Sequence, residues 1–269
     1  MDYTNETYED RKVRYKERLA NLTMMSDIFA RNVLKDEKVS EYILRIIMDD
    51  KNLVVTENIT QADFSNLRVR SAILDCLAKS GDGRVFNIEV QQTNTGASPK
   101  RSRYYMSLLD ANALNPGDSF DKLPETYLIF ITEDDALQKG LPIIHFSQKA
   151  DEDGLEFGDG THYIYVDSSQ HTDTELGKLM HDFRCKNPED MGDSILAKRV
   201  RVLKETEEGV ETMCREMEEL CNEAKVEEKI TTARAMAEDG ISTERIARIL
   251  KVSVETVEKW LAKAVTPAC

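Results

Sequence analysis

The chain has 269 residues, of which 36 are Lys or Arg and 50 are Asp or Glu, for a formal charge of −14. That length suits one sizeable core with a small appendage, and the charge excludes a uniformly basic nucleic-acid glove. It leaves open a carboxylate metal site with local basic patches as well as plain solubility, and no apolar run reaches the roughly 18 residues that span a bilayer.

In chain order, residues 1–20 are charged and read as a helix with a polar start, "MDYTNETYEDRKVRYKERL", unlike a signal peptide. A cytoplasmic protein with no membrane partner is expected. "SDIFARNVLKDEKVSEYILRIIMDD" places Ile28, Phe29, Val33, Leu34, Tyr42, Ile43, Ile46 and Ile47 near helical spacing. It predicts two helices with a break near Lys35–Lys38. "LVVTENITQAD" reads as a strand and loop, and "ILDCLAKSGDGRVFNIEVQQ" as two strands joined at "SGDG". "TNTGASPK" is a loop, and "KRSRYYMSLLDANAL" is a helix ended by Pro116-Gly117. "ETYLIFIT", "PIIHFSQ" and "THYIYVDSS" are strands, "TELGKLMHDFRC" a helix, and "KNPEDMGD" linker-like.

From about Ile195 to Ala237 the sequence is helical and heavily charged. Val210, Met213, Met217, Leu220 and Ala224 repeat in steps of three and four. Two heptads of seam fit either a homodimer through these helices or packing on the main domain. In "MAEDGISTERIARILKVSVETVEKWLAKA", Ser242 and Ser253 are placed to cap two helices around a tight Lys251–Ser253 turn. This resembles a helix-turn-helix. Docking on DNA and helical assembly both fit, since acids and bases balance there. The expected organisation is a domain over 1–190, a charged helical linker over 191–237 and the small helical module over 238–265.

Five cysteines occur without a CxxC pair, which suits reduced thiols. The histidines form no HxxxH or Cys/His zinc pattern, so zinc is not expected. His145 and His162 read as strand residues satisfied locally.

The chemistry concentrates at residues 73–92. Alternation puts Ile73, Asp75 and Leu77 on one strand face, and Val85, Asn87, Glu89 and Gln91 on one face of the next. Folding the pair about Asp82 makes paired positions sum to 164, which sets Asp75 opposite Glu89. Like charges so placed destabilise a sheet by up to about 1 kcal/mol, and more when buried. A shared Mg²⁺ or Mn²⁺ would offset this. The alternative is that one carboxylate meets solvent or pairs with Arg68, Arg70 or Arg84.

Asp75, followed after a turn by Glu89-Val90-Gln91, resembles the PD-(D/E)XK nuclease core in a variant ending in Gln. With "MMSDIFARNV", "RVRSAILD", "FNIEVQ", "RSRYYMSLLDANALNPGDSFDKLPETYLIFIT" and "GLPIIHF" in order, residues 22–185 resemble the recombination-promoting nuclease/putative transposase family. The resemblance implies an α/β, restriction-endonuclease-like core, a mixed central sheet flanked by helices in αβββαβ order, here with a helical C-terminal extension. It also implies Mg²⁺-dependent endonucleolytic hydrolysis of DNA. Asp75 and Glu89 would hold the metal with the Val90 carbonyl, and Gln91 would orient the attacking water. Asp27 would approach from its helix, or else serve as an N-cap. Arg101, Arg103, Tyr104 and Tyr105 would contact phosphate and base, or else Tyr104 and Leu108 pack on the sheet while the arginines are solvated. Gln91 replaces the usual lysine and brings hydrogen bonds without charge. The alternative function is a catalytically degenerate nuclease scaffold that binds DNA or assembles through its helical C-terminus.

Overall fold

The computed structural model describes residues 7–64, 72–170, 172–192 and 194–262. Backbone contacts divide the chain into two compact units, Met1–Met213 and Cys214–Cys269.

The first unit opens with three helices: α1 (Tyr8–Asn21), α2 (Asp27–Leu34) and α3 (Glu37–Ile47). Thr7 and Asp10 form a reciprocal capping box that starts α1. The break between α2 and α3 falls at Lys35–Asp36, where Asp36 caps α3 by accepting from the Lys38 N–H. Three strands follow, β1 (Val55–Phe64), β2 (Ala72–Ser80) and β3 (Val85–Gln91), then α4 (Pro99–Ala113) and β4 (Thr126–Thr132). With α3 in front, this is the αβββαβ order. Two more strands, β5 (Ile143–Phe146) and β6 (Thr161–Asp167), and helices α5 (Glu175–Arg184) and α6 (Ser194–Glu205) complete it, together with the start of α7 (Glu207–Glu238).

The sheet has six strands in the order β1-β2-β3-β4-β6-β5. β1, β2 and β3 form an antiparallel meander, β3, β4 and β6 run parallel, and β5 returns antiparallel to β6. The three-strand parallel centre explains the near-continuous apolar runs of β3 and β4, because both sheet faces are covered there. On one face, α4 packs Tyr105, Leu108 and Leu109 against Leu74, Leu77, Leu128, Phe130 and Tyr165. Towards the other, the Ser40 hydroxyl of α3 lies 3.7 Å from Cys76 of β2. α3 in turn contacts α5 and α6. α6 buries Leu196, Ala197, Val200 and Leu203.

β1 continues to Phe64 through the end of "LVVTENITQAD", where the sequence suggests a strand and then a loop. It is the edge strand: Thr56, Glu57 and Gln61 face solvent, Asn58 turns inward to donate to the Leu34 carbonyl at 2.6 Å, and the backbone pairs with β2.

The second unit has its own small core. There the C-terminal part of α7 supplies Ala233, α8 (Thr243–Leu250) supplies Ile246 and Ala247, and α9 (Val254–Ala262) supplies Val257. Trp260, Leu250 and Val252 close its edges. Lys251 takes a left-handed conformation (φ 54°) at the turn between α8 and α9. Ser253 caps α9 by accepting from the Thr256 N–H at 3.1 Å. Ser242 precedes α8 without a side-chain capping bond. Of the seam residues on α7, Met213 and Met217 are buried, whereas Leu220 is 45% exposed. Among the described residues, no helix is long and apolar enough to cross a membrane.

Candidate active site

The β2–β3 hairpin has the expected register: Cys76 pairs with Ile88, Leu77 with Asn87, Ala78 with Phe86 and Lys79 with Val85. The described ladder then stops one pair short of Asp75 and Glu89. β2 continues to pair with β1 as far as Ala72, so the hairpin opens into a fork at the two carboxylates. Each carboxylate replaces a missing backbone acceptor of the other strand. The Asp75 N–H donates to Glu89 Oε1 at 3.2 Å, and the Val90 N–H donates to Asp75 Oδ2 at 3.0 Å. On the other side of β2, the paired positions pass over Gln61, which lies opposite Asp75 with a positive φ of 55°. Both neighbours of β2 thus depart from regular pairing at Asp75.

Glu89 is 1% exposed. Across the sheet it aligns with Phe130 of β4 and, through it, with Tyr165 of β6. Those rings stack at 5.6 Å, and Tyr105 of α4 stacks on Phe130 at 6.4 Å. The carboxyl therefore stands at the end of an aromatic row that excludes water. Burial pushes both carboxyl groups above the ordinary range. The nearby charge of Asp27 adds to the shift at Asp75, and the charge of Asp75 adds to that at Glu89. Arg101 opposes the shift at both, and Arg31 opposes it at Asp75.

These interactions define the site's other members. Asp27 is the first residue of α2 and follows the N-cap position, Ser26. It pairs with Arg31 at 3.3 Å, one turn along the helix. Arg101 enters from the first turn of α4. Its guanidinium lies 4.8 Å over the Tyr105 ring and donates to the Tyr105 hydroxyl at 2.5 Å. The Gln91 amide lies against Gly96, in the single 3₁₀ turn Asn94–Ala97 that links β3 to α4. A Cβ on Gly96 would sit 2.0 Å from Gln91 Oε1 and 3.5 Å from an Arg101 guanidinium nitrogen. Gly96 is what allows Gln91 and Arg101 to approach each other.

Arg103 and Tyr104 are placed differently. Arg103 is exposed and lines a separate 290 Å³ cleft with Phe146, Tyr163 and Tyr165. Tyr104 packs partly buried against the core under α4. Leu108 is buried, and so is Tyr105, 7% exposed, whose hydroxyl accepts from Arg101. Arg84, a candidate partner for the carboxylates, instead pairs with Asp50 and Asp82 at 2.8 Å each. Arg68 and Arg70 lie outside the described residues. His162 is satisfied locally, against Glu125 at 3.0 Å and stacked on Tyr127 at 4.4 Å.

Sequence reasoning missed Arg31, Asn87 as a participant, and Gly96. Arg31 was one helical turn from Asp27 and legible from that spacing. Asn87 shares the strand face of Glu89 by alternation, and its Nδ2 donates to Glu89 Oε1 at 3.0 Å.

The sequence pattern of PD-(D/E)XK nuclease family transposases matches residues 28–255. The chain belongs to that family. No curated protein and no solved structure matches it. Membership supports a nuclease or transposase-like function, and the mixed six-strand sheet flanked by helices is consistent with the restriction-endonuclease-like fold. PD-(D/E)XK nucleases generally use divalent metal ions, and the donor set here fits one. Asp75 and Glu89 supply hard oxygen atoms at one fork. Beside them, Asn87 Oδ1 is buried with no hydrogen-bond partner. Such an orphaned acceptor next to two carboxylates is an oxygen-rich, cation-seeking environment.

Proposed function

We propose that this protein is a metal-dependent DNA endonuclease whose working groups are Asp75, Glu89 and Gln91, with Asp27, Arg31 and Arg101 around them. The carrying observation is the fork in the β2–β3 hairpin, where the partly buried Asp75 and the buried Glu89 replace backbone partners and are both driven towards protonation. Asp75 and Glu89 would hold Mg²⁺ or Mn²⁺ with the Val90 carbonyl. The ion would supply Lewis-acid polarisation of a phosphodiester and activation of water.

The protein groups do the rest. Gln91, fixed against Gly96, orients the attacking water through its amide. Arg101 sits beside Gln91 and brings the positive charge that a lysine would carry at position 91. Tyr105 holds the Arg101 guanidinium from below and keeps water from Glu89. Asp27 and Arg31 guard the open side of Asp75, where Arg31 contacts a phosphate oxygen. Arg103 and Tyr104 lie further along α4 and would meet DNA beyond the cut. Recombination or movement of a genetic element is the setting this chemistry suits.

The test is nicking of supercoiled plasmid with Mg²⁺. Wild type should cleave and be silenced by chelator. Asp75→Ala/Glu89→Ala should lose cleavage by at least about a hundredfold. Equal cleavage by wild type and double variant would remove the enzymatic reading.

A second reading rests on the separate small core of α8 and α9 and on Leu220, exposed along α7. In it the C-terminal unit binds DNA or pairs with a second copy, and the nuclease scaffold is inert. Full-length Asp75→Ala/Glu89→Ala would then still shift DNA in gels or run as a dimer by light scattering. A monomer without DNA affinity would eliminate it.

A further inference from the structure

The nuclease reading does not use the end of α5. There His181 and Cys185 stand one helical turn apart on one face, and Asp182 lies beside them. Their ligand atoms all lie within 4.8 Å of one another. The Cys185 Sγ is 3.6 Å from His181 Nδ1, and the same nitrogen is 3.2 Å from Asp182 Oδ1. A tetrahedral zinc with bonds of about 2.3 Å to sulfur and about 2.0–2.1 Å to nitrogen and oxygen requires edges of about 3.6 Å and about 3.3 Å. Two of these edges, sulfur to Nδ1 and Nδ1 to Oδ1, already have those lengths; the Cys185 Sγ also lies 3.9 Å from His181 Nε2, so the imidazole must turn for Nδ1 to face an ion shared with the thiolate.

The donors also match in kind. One thiol, one imidazole and one carboxylate form a borderline-soft set that favours zinc over the magnesium suited to Asp75 and Glu89. The Asp182 side chain is 2% exposed, and its Oδ1 is fixed by the Gly192 N–H at 2.9 Å. A buried carboxylate held in this way is oriented as a ligand is by its outer partners. His181, half exposed, faces a 440 Å³ cleft with Thr172, Lys178 and Asp190, from which water can complete four-coordination. The Cys185 thiol also donates to the Asp190 carbonyl at 3.6 Å.

We propose that His181, Asp182 and Cys185 form a zinc site, separate from the carboxylate fork. The ion would tie together the C-terminal turn of α5, with Asp182 still accepting from the Gly192 N–H, and the bound thiolate would give up its donation to the Asp190 carbonyl. The ion contributes stability rather than nuclease chemistry, since a metal that binds only the folded chain stabilises it by mass action.

The experiment is a Co²⁺ titration of full-length, chelator-stripped protein, with the thiolate-to-cobalt charge-transfer band in the near ultraviolet as the reading. Wild type should develop that band to one equivalent and lose it on adding Zn²⁺. The band should be absent from Cys185→Ser and His181→Ala. It should persist in Asp75→Asn/Glu89→Gln, because the carboxylate fork offers no sulfur. No band in wild type, or an undiminished band in Cys185→Ser, overturns the site and leaves a hydrogen-bonded cluster only. Should either variant fail to fold, wild type alone decides. Zn²⁺ should slow alkylation of Cys185, read by peptide mass spectrometry, at least about tenfold at a concentration ten times Kd. Unchanged alkylation overturns the proposal.

Discussion

Glu89 concentrates the energetic tension of this molecule in one side chain. Its carboxyl is closed off by Tyr105 and the Phe130–Tyr165 row, and it faces Asp75. Both groups hold their protons in the folded chain at pH values where the unfolded chain has lost them. Without metal, stability from this source is therefore fully present below the unfolded carboxyl range, about pH 4. It is lost as pH rises through the raised folded values. In chelator, wild type should melt progressively lower from about pH 5 to about pH 8, and Glu89→Gln should flatten that decline and melt a few degrees higher at neutral pH. Parallel melting curves for the two proteins would contradict the assignment. Gly96 gives a second residue-scale prediction. In Gly96→Ala the new methyl must displace the Gln91 amide, the far end of a flexible side chain. The fold should hold, with melting within about two degrees of wild type, while cleavage falls about tenfold or more through lost positioning. Full activity in this variant would mean that Gln91 does not orient water.

At the scale of elements, the hairpin was legible because its turn fixes the register. "GDG" centres on Asp82, and the observed pairs sum to 164 as expected. The end of the ladder was not legible, because it depends on two side chains taking over backbone hydrogen bonds. Nor was the length of β1, whose polar outer half reads as loop until its place at the sheet edge is known. Side chains from α2 and α4 meet at Asp75 only through the tertiary fold, so Asp27 and Arg101 came from the family resemblance and Arg31 came from neither. The zinc cluster was passed over because His181-Cys185 is a single i, i+4 pair completed by an adjacent Asp, outside the familiar spacings. α5 also carries a glycine with a physical reason: a Cβ on Gly177 would stand 2.1 Å from the Thr172 carbonyl oxygen. Backbone cannot yield as a side-chain end can, so Gly177→Ala should destabilise the first unit by about 1–3 kcal/mol in urea unfolding. An unchanged midpoint would show that the Thr172 segment is free to move.

For the whole molecule, the charge of −14 now has a local counterpart. Asp27, Asp75 and Glu89 converge on one fork, with Arg31 and Arg101 as the cations beside them. An acidic chain approaching DNA relies on such local cations, and the surplus of carboxylate at the fork is resolved by an added ion. The most direct measurement is a calorimetric Mg²⁺ titration of wild type and Asp75→Asn. Mg²⁺ is disfavoured by the thiol-containing cluster on α5, so the heat reports the fork alone. Wild type should bind with release of protons, seen as a dependence of the heat on buffer ionisation, and Asp75→Asn should lose that binding by at least about tenfold. An identical titration in the two proteins would contradict a shared ion between Asp75 and Glu89.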